Sequence, residues 1–296
     1  MPLGSGSRGN CTYIGNGRRG ILVDCGLSTR QILGRLDAAG IGDTRIDGVL
    51  ITHEHTDHVG AARILDDRLF KTQGRRVPFY MTRGTRVGLN PRCLPRTPTS
   101  ITAGSPFHIP GTPVDWRVEP YTIPHDTADP VAYTVCIGDL RVGVITDLGR
   151  STRLVEQQFS ALDVAVLEFN HDVDMLMEGD YPWRLKQRVR GAHGHLSNDQ
   201  SAGLVGTAAT SRLKHLVLAH LSQDNNRPEH AVEAAHSGLH QAGLKGVNVE
   251  VARQREALDP MALQAPLSAA PPQRRPRRSP RAAPVADDAT RQVPLF

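Results

Sequence analysis

The sequence predicts an α/β protein, and two observations lead to this fold class. Short apolar runs that are typical of buried strands alternate along the chain with segments whose apolar residues recur at helical spacing. Polar clusters rich in histidine and aspartate follow directly after several of these runs. Because ligands bind at the carboxyl ends of strands in open α/β sheets, these clusters are the first candidates for a functional site.

Composition limits the class of protein further. The 296 residues include four cysteines without Cys-x-x-Cys spacing, which argues against a disulfide scaffold or a zinc ribbon. The first residues contain no apolar segment typical of a signal peptide, and no run approaches 18 apolar residues. We therefore expect a cytoplasmic protein without a membrane segment, and buried structural thiols at Cys25 and Cys136.

The basic charge of the chain is concentrated at its carboxyl end. Residues 271–296 hold six arginines and two aspartates, which account for four of the five net positive charges. We predict one folded domain over residues 1–256 and a disordered Pro/Ala/Arg-rich tail over 257–296. The tail arginines could contact nucleic-acid phosphates, or the tail could simply be solvated.

The amino-terminal elements surround a loop of small residues. Gly4–Asn10 is either an ordinary turn or a loop whose backbone amides approach a ligand. Gly20–Gly26 predicts a strand that ends in a turn. Ser28 or Thr29 then caps a predicted helix that Gly40 ends.

The most informative stretch is Thr52–Gly60, which follows the predicted buried strand Gly48–Ile51. It places His53, His55, Asp57 and His58 within six residues. Imidazole and carboxylate groups are ligands for zinc, manganese or iron, so this density predicts a metal site rather than a solvated loop. One metal needs three or four ligands and two metals need more, so this stretch cannot complete the site alone.

The later elements supply candidates for those ligands. His125 and Asp147 each follow an apolar predicted strand, as does His220. His195 precedes a helix capped by Ser197 or Asn198, with His193 as an alternative, and His171 and Asp172 make a weaker case. We predict the remaining elements as a strand over 77–81, a helix over 83–88, a surface loop over 90–113, strands over 114–122, 131–137 and 140–145, a helix over 150–159, a strand over 163–169, helices over 180–190 and 198–211, a strand over 214–219, a helix over 228–241 and a strand over 247–251.

The pattern His-x-His-x-Asp-His over residues 53–58 resembles the signature of the metallo-β-lactamase superfamily. The resemblance implies a four-layer αββα sandwich that binds two divalent metal ions, Zn²⁺ or Mn²⁺. It implies one ligand set of His53, His55 and His125, a second set of Asp57, His58 and His220, and Asp147 bridging the two. Asp24 would support the stretch Thr52–Gly60, the metal-binding loop, by hydrogen bonding. Asp57 and His195 would be the catalytic residues.

Four further segments resemble the YycJ/WalJ branch of that superfamily. They are Glu168–Asp172, Tyr181–Arg188, Gly194–Asn198 and His220–Asn226. The branch implies a phosphodiesterase that acts as a 5′-to-3′ exonuclease on DNA, in which a hydroxide bridging the metals attacks phosphorus and His195 assists the leaving group. The 47 residues between Asp147 and His195 leave no room for the large insert of β-CASP nucleases.

Two other functions remain open from the sequence. The near-neutral charge of residues 1–270 is compatible with a hydrolase of small esters, thioesters or lactones. A metal-free binding module is the third possibility, and seven intact ligands argue against it. An aromatic side chain available for stacking, Tyr181 or Trp183, would favour nucleic acid, although both could instead pack in the core. Nothing indicates an obligate protein partner.

Overall fold

The computed structural model describes residues 1–110 and 116–263, which form two β-sheets packed face to face with helices on both outer sides. The strand order is β1-β2-β3-β4-β5-β6 in one sheet and β13-β12-β11-β10-β9-β8-β7 in the other. The predicted α/β class and the αββα layering are therefore confirmed.

The strands are short, and those of each sheet are consecutive in the chain. The first sheet contains β1 (Pro2–Gly4), β2 (Cys11–Gly15), β3 (Arg19–Val23), β4 (Arg45–Leu50), β5 (Phe79–Thr82) and β6 (Pro98–Ile101). The second contains β7 (Phe107–His108), β8 (Trp116–Thr122), β9 (Val131–Ile137), β10 (Leu140–Ile145), β11 (Val164–Glu168), β12 (His215–Ala219) and β13 (Asn248–Val251). Strands β3 to β6 run parallel, and so do β10 to β13, so within each of these groups the carboxyl ends lie at one edge.

The described residues form nine helices, and a side chain caps the first turn of five of them. They are α1 (Thr29–Ala38), α2 (Thr56–Val59), α3 (Ala62–Gln73), α4 (Arg83–Gly88), α5 (Arg153–Ser160), α6 (Val173–Glu178), α7 (Trp183–Val189), α8 (Asn198–Ala208) and α9 (Pro228–Gln241). Ser28 and Ser197 each form a capping box with the glutamine three residues later. These boxes satisfy amide groups that the first turn leaves without partners.

Three apolar cores separate the four layers. Leu22 and Val49 pack toward α1 and α3, whereas Val23 and Leu50, next to them in sequence, pack toward the second sheet. A third core lies between the second sheet and α5, α8 and α9. Because both faces of these strands are covered, their carboxyl-terminal runs, 20–23 and 48–50, are continuously apolar rather than alternating.

The structure corrects three predicted elements. Residues 90–113 were predicted as a loop, but they contain the strands β6 and β7. Strand β6 pairs with β5 at the edge of the sheet. Its first residue is Pro98, and the first position of an edge strand tolerates proline. Helix α8 ends at Ala208, three residues early, and the Thr210 hydroxyl donates to the Ser160 carbonyl instead of continuing the helix. Helix α6 was not predicted, and the Asp172 carboxylate caps it.

The folded part continues beyond residue 256. The Leu258 amide donates to the Pro2 carbonyl at 3.0 Å, and Met261 and Leu263 pack against the core between the sheets. The predicted boundary at 256 therefore lies before a segment that still contacts the folded part, and residues 264–296 of the predicted tail lie outside the described residues. Cys25 and Cys136 are buried, as predicted. Among the described helices, none combines the length and apolarity needed to cross a bilayer.

Candidate metal centre

The predicted metal-binding residues come from the ends of four strands. His53, His55, Asp57 and His58 follow β4, and the last two belong to the short helix α2; His125 follows β8, Asp147 follows β10 and His220 follows β12. The structure brings all seven side chains together: His55, Asp57, Asp147 and His220 line one cleft, and His53, His58 and His125 are buried in contact with them.

Three imidazoles converge on one point. His55 Nδ1 lies 3.1 Å from His53 Nε2 and 3.3 Å from His125 Nε2. Three nitrogens this close together, each with a lone pair in the neutral ring, match a set of three histidine ligands for a divalent metal.

Asp57, His58 and His220 form a second group beside the first. Asp57 Oδ2 lies 3.4 Å from His58 Nε2 and 3.5 Å from His220 Nε2. Asp147 lies between the groups, because its Oδ2 is 3.0 Å from His58 Nε2 and its Oδ1 is 3.8 Å from His125 Nε2.

The arrangement suits divalent cations. Asp147 Oδ2 and His220 Nε2 are buried without a hydrogen-bond partner of acceptable geometry among the described residues. Asp147 Oδ2 and His58 Nε2 are close together but are not aligned as donor and acceptor. Buried polar atoms without hydrogen bonds are costly, and a shared cation removes that cost. The residues present therefore fit divalent metal binding.

The second nitrogen of four histidines is held by a neighbouring group. His53 Nδ1 contacts Thr52 Oγ1 at 3.0 Å, and His125 Nδ1 contacts the Gly194 carbonyl at 3.1 Å. His58 Nδ1 lies 2.8 Å from the Asp24 carboxylate, which also accepts a hydrogen bond from the Thr52 amide. Asp24 therefore supports the metal-binding loop, as expected. Such contacts leave Nε2 for the metal and orient each ring.

Glu168 contacts the fourth of these histidines, His220. The sequence did not indicate Glu168 as a site residue. Its carboxylate is fully buried, and Oε1 lies 2.9 Å from His220 Nδ1 and 2.8 Å from His195 Nδ1. The amides of Leu148 and Leu196 donate to Oε2. Burial alone would raise the pKa of Glu168, but the two histidines lower it to about 2. The one available signal was a glutamate at the end of an apolar run, where a charge needs a partner.

His195 rather than His193 enters the cleft. His195 lines the cavity, while His193 is exposed outside it. Burial lowers the pKa of His195, but the charge and hydrogen bond of Glu168, together with the charge of Asp147, outweigh burial and raise the pKa overall. His195 Nδ1 also lies 3.5 Å from Asp147 Oδ1, so the imidazole is next to the metal groups.

The glycine- and serine-rich loop over residues 4–10 braces the centre. The Asn10 amide donates to the Asp57 carbonyl at 2.7 Å, and the Asn10 side chain lies 3.1 Å from His58 Nε2. Ser5 Oγ accepts from the His220 amide at 2.8 Å and donates to Asn10 Oδ1. The loop therefore links the Asp57–His58 turn to His220, a role that its composition alone did not indicate.

The remaining candidates separate into structural residues and cleft residues. His171 is buried and Asp172 caps α6, and neither lines the cleft. Tyr181 lines the cleft, and Trp183 is 56 % exposed, so neither aromatic is a core residue. The cleft has a volume of about 410 Å³.

The family follows from this fold and site together with a sequence match. Residues 19–221 match the model of the beta-lactamase superfamily domain. The chain therefore belongs to the metallo-β-lactamase superfamily, and it is a metal-dependent hydrolase.

Particular relatives narrow the position within that superfamily to the YycJ/WalJ branch. Exodeoxyribonuclease YycJ of Bacillus anthracis is 31 % identical over 242 residues, 82 % of this chain and 89 % of the relative. Exodeoxyribonuclease WalJ of Streptococcus pneumoniae is 32 % identical over 249 residues, 84 % of this chain and 90 % of the relative. The crystal structure of Zn²⁺-bound PqqB from Methylobacterium extorquens has a TM-score of 0.62 at 16 % identity, covering 88 % of this chain and 99 % of that one, and shares the fold.

Proposed function

We propose that the protein is a phosphodiesterase with two divalent metal ions that removes nucleotides from DNA in the 5′-to-3′ direction. The observation that carries this proposal is the placement of His195 in an open cleft beside two adjoining groups of metal-ligating residues. The similarity to proteins named exodeoxyribonucleases supports DNA as the substrate.

In this proposal His53, His55 and His125 would hold one ion, Asp57, His58 and His220 would hold the other, and Asp147, which lies between the two groups, would be available to both. Zn²⁺ and Mn²⁺ both suit this mixture of imidazole and carboxylate. When bound, such ions supply a nucleophilic water at neutral pH and withdraw charge from the phosphate oxygens. Asp57 lines the cleft with its carboxylate 3.4 Å from His58 Nε2, and its catalytic role would be to help hold the second ion beside the attacked phosphorus.

His195 donates a proton to the leaving oxygen. Its Nδ1 is engaged by Glu168, which leaves Nε2 for the substrate. The Glu168 carboxylate stabilises the protonated ring, so more of the acid form persists at neutral pH. Glu168 acts through His195 and His220 and is a positioning residue in this mechanism.

The test is digestion of 5′- and 3′-labelled single- and double-stranded DNA by protein loaded with Mn²⁺ or Zn²⁺. We expect mononucleotides to be released progressively from the 5′ end. Asp147→Ala should abolish release, because it removes the carboxylate between the two groups. Asp139→Ala, at the exposed β9–β10 turn, is the matched control and should retain activity.

Two results would contradict the proposal. One is the absence of DNA cleavage by metal-loaded protein that hydrolyses a small ester, thioester or lactone. The other is full activity of the Asp147→Ala variant. Release of nucleotides from the 3′ end would refute the direction of attack alone.

A further inference from the structure

A second cavity adjoins the catalytic cleft. It has a volume of about 630 Å³ and lies between the amino-terminal loop, the start of α1 and the start of α3. Both cavities are lined by Ser7, Thr56 and Asp57. The depression therefore continues past the metal-binding loop instead of ending there.

The second cavity contains two arginines that form no ion pair with any described carboxylate. Arg8 and Arg30 line it, are exposed, and form no ion pair within the described part of the chain. Asp57 is the one acidic residue of the lining, and it belongs to the metal centre. In the first cavity, by contrast, Arg188 is paired with Asp126 at 2.6 Å.

The other lining groups suit a sugar–phosphate backbone. Thr29 Oγ1 is shielded from solvent and has no hydrogen-bond partner among the described residues. Ile64, at the rim, is 66 % exposed. Cationic grooves with apolar surface beside them are typical of sites that follow a nucleic-acid strand.

We infer that this second cavity holds the strand on one side of the scissile phosphate, with Arg8 and Arg30 contacting phosphates that are not cleaved. The inference rests on the proposed function and narrows its substrate class to polynucleotides several residues long. A small ester or a dinucleotide would leave the two arginines without a partner.

The test measures binding and cleavage separately for wild type, Arg8→Ala, Arg30→Ala, the double variant and Arg18→Ala. Arg18 is an exposed arginine at the β2–β3 turn, away from both cavities, and is the matched control. Binding is measured on the metal-loaded protein with a fluorescent 20-nucleotide single strand that has cleavage-resistant phosphorothioate linkages, over a range of KCl concentrations. Cleavage is measured on single strands of 2, 5, 10 and 20 nucleotides.

We expect the double variant to raise the Kd of the 20-nucleotide strand roughly tenfold or more, and to reduce the slope of log K against log salt by about 0.7 for each arginine removed. The advantage of long over short substrates in kcat/KM should shrink in the same variant. Arg18→Ala should match wild type.

Unchanged binding and an unchanged length dependence in the double variant would overturn the inference, as would equal losses on 2- and 20-nucleotide strands. In either case a wild type that still cleaves DNA leaves the proposed function standing. A wild type that neither binds nor cleaves any strand refutes both.

Discussion

Asp24, Asp147 and His220 have left-handed backbone conformations, with φ angles of 61°, 58° and 55°. Each lies one or two residues after a strand, and each contacts another residue of the centre. Non-glycine residues in this region cost of order 1 kcal/mol or more, and they persist where the surrounding structure holds them. The sharp turns direct Asp147 and His220 into the cleft, and Asp24 against His58, at the point where each strand stops.

At the residue scale, a substitution of Glu168 tests whether its charge controls the protonation of His195. Glu168→Gln keeps an oxygen that can accept from His195 but removes the charge that raises the pKa of His195. We expect kcat on DNA to fall about 10- to 100-fold. The pKa of His195 should fall with it, so the alkaline limb of the pH–kcat profile should move to lower pH. Glu168→Asp should restore part of the rate.

If Glu168 had only a structural role, Glu168→Gln would lower the amount of folded protein without shifting the pH–kcat profile. Glu229→Gln, at an exposed position in the first turn of α9, is the control and should leave both kcat and the profile unchanged.

At the scale of elements, the site depends on close contact between two turns. The turn after β3 passes directly beneath helix α2, and a Cβ added at Gly26 would lie 1.6 Å from the Asp57 carbonyl oxygen. That atom belongs to the backbone and cannot rotate away. Only glycine therefore allows the turn to support the metal-binding loop.

A matched pair of glycine substitutions tests this contact. Gly26→Ala should cost about 1–3 kcal/mol in the free energy of unfolding and should lower the bound metal per chain, because the metal-binding loop must shift. Gly34→Ala, in an exposed turn of α1 with open space around it, should stabilise the protein by about 0.5–1 kcal/mol. Urea denaturation and metal analysis measure both. Equal metal content and stability in the two variants would contradict this account.

At the scale of the whole molecule, the two sheets must keep a fixed position relative to each other, because the ligands come from both. Tyr133 of β9 spans the core between them, and its hydroxyl donates to the Ile51 carbonyl at 2.7 Å, one residue before the metal-binding stretch begins. The Val131 amide donates to the next carbonyl, that of Thr52. These bonds link the second sheet to the loop that follows β4.

Tyr133→Phe removes one of these links. Because a buried carbonyl loses its donor, we expect a cost of about 1–3 kcal/mol in the free energy of unfolding, measured by urea denaturation of the metal-free protein. Tyr181→Phe removes a hydroxyl that donates to Asp224 at an exposed position and should cost about 0.5 kcal/mol or less. A Tyr133→Phe variant as stable as Tyr181→Phe would show that the link is unimportant.

The sequence by itself determined the local features of this protein. Apolar runs predicted most strands, the Ser28 and Ser197 signals predicted two helix starts, and the His-x-His-x-Asp-His pattern predicted a metal site, because each depends on residues close together in the chain. Only the tertiary structure decided what distant segments do together. It brought Glu168 into contact with His195 and His220, and it hydrogen-bonded Asn10 to Asp57. It left His193 outside the catalytic cleft. It also placed Arg8 and Arg30 along one groove. These contacts arise from the packing of strand ends and turns, which no local pattern of residues encodes.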